Sequence, residues 1–196
     1  VQALRTELDS RGRPVAVRRI RYAGGKPGAP EPVVRHEYAQ FDEPTLTARP
    51  SVVAGKETVT RIRYNAHGQP LTVTDSGWAP ASNPGGAPQP VERSVRYVYR
   101  IVNGRSLLAA IDGPLPNGKT GTPADSDITQ FEWDERGNRI VSAIAPGNAS
   151  GKFGYDAAGR IVTVEAGGKA TALAYDGRGR MGEVRVGGVA PRTRYD

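Results

Sequence analysis

Two neighbouring stretches decide the fold: GYDAAGRIVTV at residues 154–164 and AYDGRGRMGEV at residues 174–184. Each places an aspartate after a tyrosine, a glycine three residues later, and then an arginine. Aspartate in a turn accepts hydrogen bonds from backbone N–H groups two or three residues on, and glycine tolerates the left-handed backbone that ends such a turn. The residues after the arginine alternate as a β-strand does. The pattern therefore predicts a hairpin turn rather than a catalytic acid.

Copies of this turn recur along the chain. The residues assigned to it are Asp9 and Gly12, Asn65 and Gly68, Asp134 and Gly137, then Tyr155, Asp156, Gly159 and Arg160, and finally Tyr175, Asp176, Gly179 and Arg180. The last copies follow one another at intervals of 20 to 22 residues, and the earlier gaps of 56 and 69 residues fit several degraded or interrupted units. A fainter copy lies at 103–105. Active sites are seldom repeated at a fixed period, so the repetition itself favours a structural role.

A second turn signal lies within each closing unit, at 167–168 and 187–188, where two glycines stand together. Two turn signals about ten residues apart, with a β-rich stretch between them, are typical of a repeated hairpin. We therefore expect an all-β fold of repeated antiparallel β-hairpins that form a curved sheet. One domain is expected over 1–196, with degenerate repeats and long loop insertions over 1–125 and regular repeats over 126–196.

The motif Tyr-Asp-x-x-Gly-Arg, at a period of about 20 residues, resembles the YD-repeat or RHS-repeat family of large bacterial surface and toxin proteins. Similar repeats occur in teneurins and in the C component of insecticidal toxin complexes. The resemblance is good over 130–196 and poor over 23–58 and 76–125. It implies strands that spiral into a hollow β-shell around a toxic C-terminal domain.

The resemblance also implies a function and partners. The chain would be a structural segment of a shell that encloses or presents the C-terminal toxin domain of a secreted bacterial polymorphic toxin. Its partners would be that toxin domain in the same polypeptide and the neighbouring shell repeats. The protein would be secreted or on the cell surface, exported by a specialised secretion system, and the secretion machinery is a further candidate partner. An adhesive module that binds a carbohydrate or a receptor is the alternative.

Composition sets the outer limits of these expectations. Hydrophobic residues make up 37% of the chain, beside 25 glycines and 16 prolines, which argues against a helical protein and against a thick core. The absence of cysteine excludes disulfides and thiolate metal sites. No apolar run is long enough to cross a bilayer. Because both chain ends look cut, we expect a fragment of a longer protein that self-associates through exposed strand edges.

Arginine accounts for most of the positive charge, and the net charge is +7. Arginines two residues apart on a strand share one face, so paired arginines suggest a surface for a sulfated glycan, a nucleic acid or an acidic cargo domain. The candidate residues are Arg61, Arg63, Tyr64, Arg96, Tyr97, Arg192 and Arg194. The alternative is a solvated face on which arginines pair with carboxylates such as Glu92 or Glu183 across strands. The basic pI alone suggests nucleic acid, but no recognition helix or zinc module supports a specific nucleic-acid partner.

Catalytic and metal-binding patterns find little support. His36 and His67 lie in no metal-ligand spacing, and no G-x-S-x-G elbow occurs. Asp125 and Asp127 form an acidic cluster in a long loop, which is better explained as a solvated loop end than as a cation site. We therefore expect no enzyme activity, no cofactor and no metal.

Overall fold

A computed structural model describes residues 1–40, 42–81, 83, 85–115, 127–145 and 150–188, and the backbone of 193–194. Every helix or strand in these ranges is a β-strand, and neighbouring strands run antiparallel, which confirms the expected all-β fold. The chain divides into two units, Val1–Arg96 and Tyr97–Asp196. The organisation of the whole chain as one domain stays a prediction.

The first unit is a sheet in the order β1-β2-β4-β5-β6-β7-β8, with the short β3 paired to β2. Its strands are β1 (Gln2–Leu8), β2 (Pro14–Ala23), β3 (Lys26–Pro27), β4 (Glu31–Tyr38), β5 (Pro44–Pro50), β6 (Glu57–Tyr64), β7 (Pro70–Ala79) and β8 (Gln89–Val102), which ends in the second unit.

The second unit continues in simple order from the end of β8 to β16. Its further strands are β9 (Arg105–Asp112), β10 (Ile128–Trp133), β11 (Ile140–Ile144), β12 (Gly151–Tyr155), β13 (Ile161–Ala166), β14 (Lys169–Tyr175), β15 (Met181–Val186) and β16 (Thr193–Arg194). This strand order is that of consecutive hairpins, as the repeated turn signals indicate.

A β-bulge accompanies each turn of the repeated motif. Gly154 pairs with Thr163, but Tyr155 pairs with Ile161, so Val162 is the extra residue. The same shift occurs between Ala174 and Tyr175. The regular alternation expected for residues 161–164 is therefore interrupted at its start. A bulge increases the local twist and redirects the neighbouring side chain, here that of the motif tyrosine.

Antiparallel connections alternate between the two ends of the strands, so all motif turns of a unit lie at the same end, which we call its motif end. The connections there are 9–13, 39–43 and 65–69 in the first unit, and 103–104, 134–139, 156–160 and 176–180 in the second. The fainter copy at 103–105 is a two-residue turn at this end. Its residues Asn103 and Gly104 have φ values of 49° and 72°, the left-handed pair that two-residue hairpins require.

Few side chains are fully buried. Leu46, Ala48 and Val59, on β5 and β6, are the buried apolar residues of the part that the structure describes. Within each unit the main contacts of a strand are with its neighbours in the sheet. The described parts of each unit therefore form a single layer, in which neighbouring repeats must be held together mainly by hydrogen bonds and by contacts between adjacent strands.

Candidate functional site

Each motif aspartate organises its own turn. The carboxylate of Asp156 accepts hydrogen bonds from the backbone N–H of Arg160 at 2.9 Å and from its Nε at 2.7 Å. The backbone closes the turn further, since Asp156 N–H donates to the Arg160 carbonyl and Gly159 N–H donates to the Asp156 carbonyl. Asp176 makes the same two bonds with Arg180. These carboxylates are thus occupied by their own turns, with the arginine after the glycine as the partner.

Two further copies show the same chemistry. Asp9 accepts hydrogen bonds from the backbone N–H and the Nε of Arg13 at 3.0 and 2.7 Å. In the copy that begins with Asn65, the partner is Gln69 instead: its N–H donates to the Asn65 side-chain oxygen at 3.0 Å, and the Asn65 amide donates to Gln69 Oε1 at 2.8 Å. Charged Asp–Arg and neutral Asn–Gln pairs therefore fill the same two positions of one turn.

The hydrogen bonds lower the pKa of the turn carboxylates. For Asp156 and Asp176 the backbone N–H of the arginine is the main cause, and its guanidinium adds to the effect. For Asp9 the main cause is the backbone N–H of Arg13, and the Arg13 guanidinium again lowers the pKa further. For Asp134 the backbone N–H of Asn138 is the main cause. The four aspartates are consequently held in the ionised form, in which a carboxylate is an acceptor only and not a proton donor.

The motif aromatic residue binds the preceding repeat. The Tyr155 hydroxyl donates to the Ile140 carbonyl at 2.7 Å, and the Tyr175 hydroxyl donates to the Ile161 carbonyl at 2.9 Å. In both cases the acceptor is the first residue of the strand that follows the previous motif turn. Tyr38 and Tyr64 in the first unit bind in the same way to the carbonyls of Pro14 and Pro44, and the Trp133 indole N–H donates to the carbonyl of Leu108.

The arginine that ends a motif turn, just before the outgoing strand, contacts the next repeat. The guanidinium of Arg139 lies 5.3 Å from the ring centroid of Tyr155, and that of Arg160 lies 4.5 Å from the Tyr175 ring. Arg139 also passes over Gly159, where an added Cβ would overlap its Nη2 and lie 3.1 Å from its Cζ. We call this arrangement the inter-repeat contact: an arginine of one turn packed between the tyrosine and the glycine of the next.

A degenerate turn at 39–43, which the motif search missed, keeps the inter-repeat contact with other residues. Arg13 lies 4.6 Å from the Tyr38 ring centroid, and its Nη1 is 2.8 Å from the Asp42 carboxylate. Asp42 stands at the glycine position with a φ of 68°, and an aspartate tolerates this backbone better than most residues do. Glu43 takes the arginine position and reaches the next glycine, Gly68. The sequence did contain a signal for this turn. Tyr38 stands six residues before Pro44, which begins a strand, and Tyr64 and Pro70 keep the same spacing around a clear copy of the motif.

The neutral pair of Asn65 and Gln69 provides a test of the ionised turns. Because the pKa of Asp156 is lowered from its ordinary value of 3.8 in the folded protein, its contribution to stability is present above that value and is lost as the pH falls through the lowered pKa. We expect Asp156→Asn to weaken the turn at neutral pH, and the double variant Asp156→Asn/Arg160→Gln to regain part of the loss. The double variant should also lose less stability than the natural chain between pH 5 and pH 2.

The measurement is urea unfolding of the three proteins at several pH values, followed by circular dichroism. If the side chains of Asp156 and Arg160 contributed nothing to stability, the free energy of unfolding of all three proteins would change with pH in the same way. That outcome would contradict a role for the ionised carboxylate.

The predicted anion surface is partly assembled in the first unit. Arg61, Arg63 and Arg96 are exposed and lie on β6 and β8, on either side of β7. Tyr64 is not free to join them, because its hydroxyl binds the Pro44 carbonyl, and burial followed by the nearby Glu43 charge raises the pKa of its phenol. Tyr97 belongs to the second unit. Arg192 and the side chain of Arg194 lie outside the described residues, and anion binding by any of these residues stays a prediction.

The other candidate groups have local partners. His36 Nδ1 lies 3.0 Å from Thr47 Oγ1, and His67 is exposed in its turn. Asp127 Oδ2 accepts a hydrogen bond from Leu115 N–H at 2.8 Å, and Asp125 lies outside the described residues. In the described part of the chain, no group of three or more His, Asp or Glu side chains is placed to hold a metal ion. The same part contains no helix long and apolar enough to cross a membrane.

Together, the fold and the inter-repeat contacts define a repeat protein of consecutive β-hairpins, five of which are bonded to the preceding strands through one aromatic residue, at Tyr38, Tyr64, Trp133, Tyr155 and Tyr175. Residues 155–190 match the model of the RHS repeat family, so this part of the chain is built of RHS repeats and the resemblance seen in the sequence is confirmed there. No curated protein matches the chain.

Among solved structures, the chain is similar to one in the crystal structure of TcdB2-TccC3-TEV, with a TM-score of 0.48 and 13% sequence identity. The match covers 93% of the present chain and 10% of the other. The present chain therefore spans about a tenth of the length of the chain it matches.

Proposed function

We propose that this chain is a wall segment of an RHS-type shell that encloses or presents a C-terminal toxin domain of a secreted bacterial polymorphic toxin. The inter-repeat contact is the observation that carries the proposal. It packs the arginine of one motif turn on the tyrosine of the next, as Arg160 packs on Tyr175, and that tyrosine also donates a hydrogen bond back to the preceding repeat. A row of hairpins bonded in series suits a continuous wall better than it suits a catalytic pocket.

The single-layer arrangement supports the same function. A wall needs two accessible faces, one toward a content and one toward the solvent, and so cannot bury many side chains in a central core. Only Leu46, Ala48 and Val59 are buried among the described apolar residues. The motif aspartates, which are the most repeated acidic groups, are bonded within their own turns. We infer a structural rather than an enzymatic role, with export to the cell surface or the medium.

The test uses the complete natural polypeptide that contains residues 1–196. Limited proteolysis should leave any C-terminal domain intact in that protein and should degrade the same domain when it is produced alone. Tyr155→Ala, which removes one inter-repeat contact, should make the enclosed domain accessible to the protease. Tyr22→Ala is the matched control, since Tyr22 is exposed and belongs to no motif turn. Equal cleavage of the domain inside and outside the natural polypeptide would overturn the proposal.

A further inference from the structure

The second unit contains an open groove of about 560 Å³ across β11, β12, β13 and β14. It lies at the end of the strands opposite the motif end, beside the two-residue turn at 167–168. Small residues line much of it, among them Gly151, Ala166 and Ala170, and no atom lies within 4 Å of a Cβ built at Gly167. The volume is within the range of sites that bind small molecules.

One row of paired residues brings three different polar groups to the groove. Ser142 on β11 lies opposite Lys152 on β12, which lies opposite Glu165 on β13. Residues that are paired in register point to the same side of a sheet, and all three line the groove. Ile144 also lines it and shares this face, because it is two residues from Ser142 on the same strand. We call these four residues the Ser142 site.

The hydroxyl of Ser142 is buried without a partner. The residue is only 7% exposed, yet its hydroxyl makes no hydrogen bond in the part of the chain that the structure describes. Buried polar side chains normally have a partner, so an exception requires an explanation. The oxygen keeps some accessible surface. The Ser142 hydroxyl can therefore be reached by a molecule that enters the groove.

Lys152 and Glu165 carry opposite charges on neighbouring strands but do not bind each other. Opposite charges that are paired across strands commonly attract, and Arg19 and Glu31 in the first unit do form such an ion pair, at 2.8 Å. Among the described residues, neither Lys152 nor Glu165 has an ion-pair or hydrogen-bond partner, and both are exposed. Both charges are therefore available to a ligand.

The polar groups of the Ser142 site match a ligand that carries both charges. The hydroxyl of Ser142 and the ammonium of Lys152 can donate to one carboxylate, and the carboxylate of Glu165 can accept from an ammonium. Neighbouring strands are about 4.8 Å apart, so the two charges of the ligand must lie close together. In an α-amino acid one carbon atom carries both charged groups, whereas a dipeptide separates them by about 3.5 Å more. Ile144 offers an apolar contact for the side chain.

We propose that the Ser142 site binds a free α-amino acid with an apolar side chain. The ligand's carboxylate accepts hydrogen bonds from Ser142 and Lys152, its ammonium donates to Glu165, and its side chain packs on Ile144. The proposal goes beyond the function as a shell segment and does not depend on it, because it rests on a groove within the second unit and on none of the inter-repeat contacts.

The test is an NMR titration of the isotope-labelled whole chain with L-leucine, which follows the backbone amides of Gly151, Gly167 and Gly168 in the groove. We expect a Kd on the order of 1 mM, because an open groove with a few polar contacts supports only weak binding. Two analogues each lack one charge: 4-methylpentanoate has no ammonium, and 3-methylbutylamine has no carboxylate. Each should bind at least about 10-fold more weakly than L-leucine.

Lys152→Gln/Glu165→Gln should weaken L-leucine binding about 10-fold. Lys26→Gln/Glu92→Gln is the matched control, since it also removes one charge of each sign from exposed residues, but in the first unit, and it should change binding by less than about 2-fold.

Ser142→Ala should weaken binding about 5-fold without lowering the stability measured by urea unfolding, because the hydroxyl has no partner to lose. Circular dichroism of each variant confirms that the sheet is retained. Three results would overturn the proposal: no response of the groove amides at about 20 mM L-leucine, binding of either analogue as tight as that of L-leucine, or equal losses in the two double variants.

Discussion

Replacing Tyr155 by alanine is expected to lower the free energy of unfolding by about 3 kcal/mol, because the half-buried ring is lost together with its packing against Arg139. Tyr155→Phe should cost only about 1 kcal/mol, since it removes the hydrogen bond to the Ile140 carbonyl and keeps the ring. The difference between the two variants separates the contribution of the ring from that of the hydroxyl group. Urea unfolding followed by circular dichroism measures both.

Tyr22 provides the control for these two variants. It lies on β2, its side chain is 39% exposed, and the structure gives its hydroxyl no partner among the described residues. Tyr22→Phe should therefore change stability by no more than about 0.5 kcal/mol. If Tyr155→Phe were as harmless as Tyr22→Phe, the hydroxyl group would not hold neighbouring repeats together, and the role assigned to the motif tyrosine would be wrong.

Gly159→Ala is expected to lower the free energy of unfolding by about 2 kcal/mol, from two causes. The backbone of Gly159 has a φ of 86°, which a residue with a Cβ adopts only under strain. The added Cβ would also overlap Arg139 Nη2 and displace that guanidinium from the Tyr155 ring. Thermal and urea unfolding would show the loss.

Two other glycines separate the two causes. Gly12 has a φ of 79° at the same place in its own turn, but nothing lies within 4 Å of a Cβ built there. Gly12→Ala should show only the backbone strain, about 1 kcal/mol. Gly177 stands where the preceding copy of the motif has Ala157, with open space around it, so Gly177→Ala should be within about 0.5 kcal/mol of the natural chain. Equal losses for Gly159→Ala and Gly12→Ala would show that Arg139 does not matter at this position.

Local chemistry explains how much of this fold could be predicted. The hydrogen bonds of Asp156 lie within five residues of the chain, so aspartate, glycine and their spacing were sufficient to predict the turn and, by repetition, the hairpins. The bulge at Tyr155 could not be predicted from the alternation of residues 161–164, because it depends on the register of two strands. Periodicity within one strand contains no information about that register.

Contacts between repeats could not be predicted from the sequence, for a different reason. Arg139 and Tyr155 are 16 positions apart, and nothing in either residue indicates that one packs on the other. The turn at 39–43 was missed because Asp42 replaces glycine and Glu43 replaces arginine. The motif residues are therefore absent, although Asp42 keeps the positive φ and Glu43 still approaches the next motif glycine, Gly68. The placement of the candidate anion-binding arginines could be predicted in part: residues two apart on β6 share a face, but only the pairing of three strands puts Arg96 in line with Arg63, across Thr72.

The connections at the two ends of the strands differ in how freely their length can vary. At the motif end every turn except the one at 103–104 has five or six residues. Side chains of several of these turns, Arg13, Arg139 and Arg160, contact the tyrosine that precedes the next turn. At the other end the connections range from two residues at 167–168 to fifteen at 113–127, and no atom lies within 4 Å of a Cβ built at Gly167 or Gly168. Lengthening a loop costs little entropy once its ends are held together. New segments, whether acquired in evolution or inserted by design as epitopes or labels, are therefore best accommodated at that end, where the repeats can diverge without losing their connection to one another.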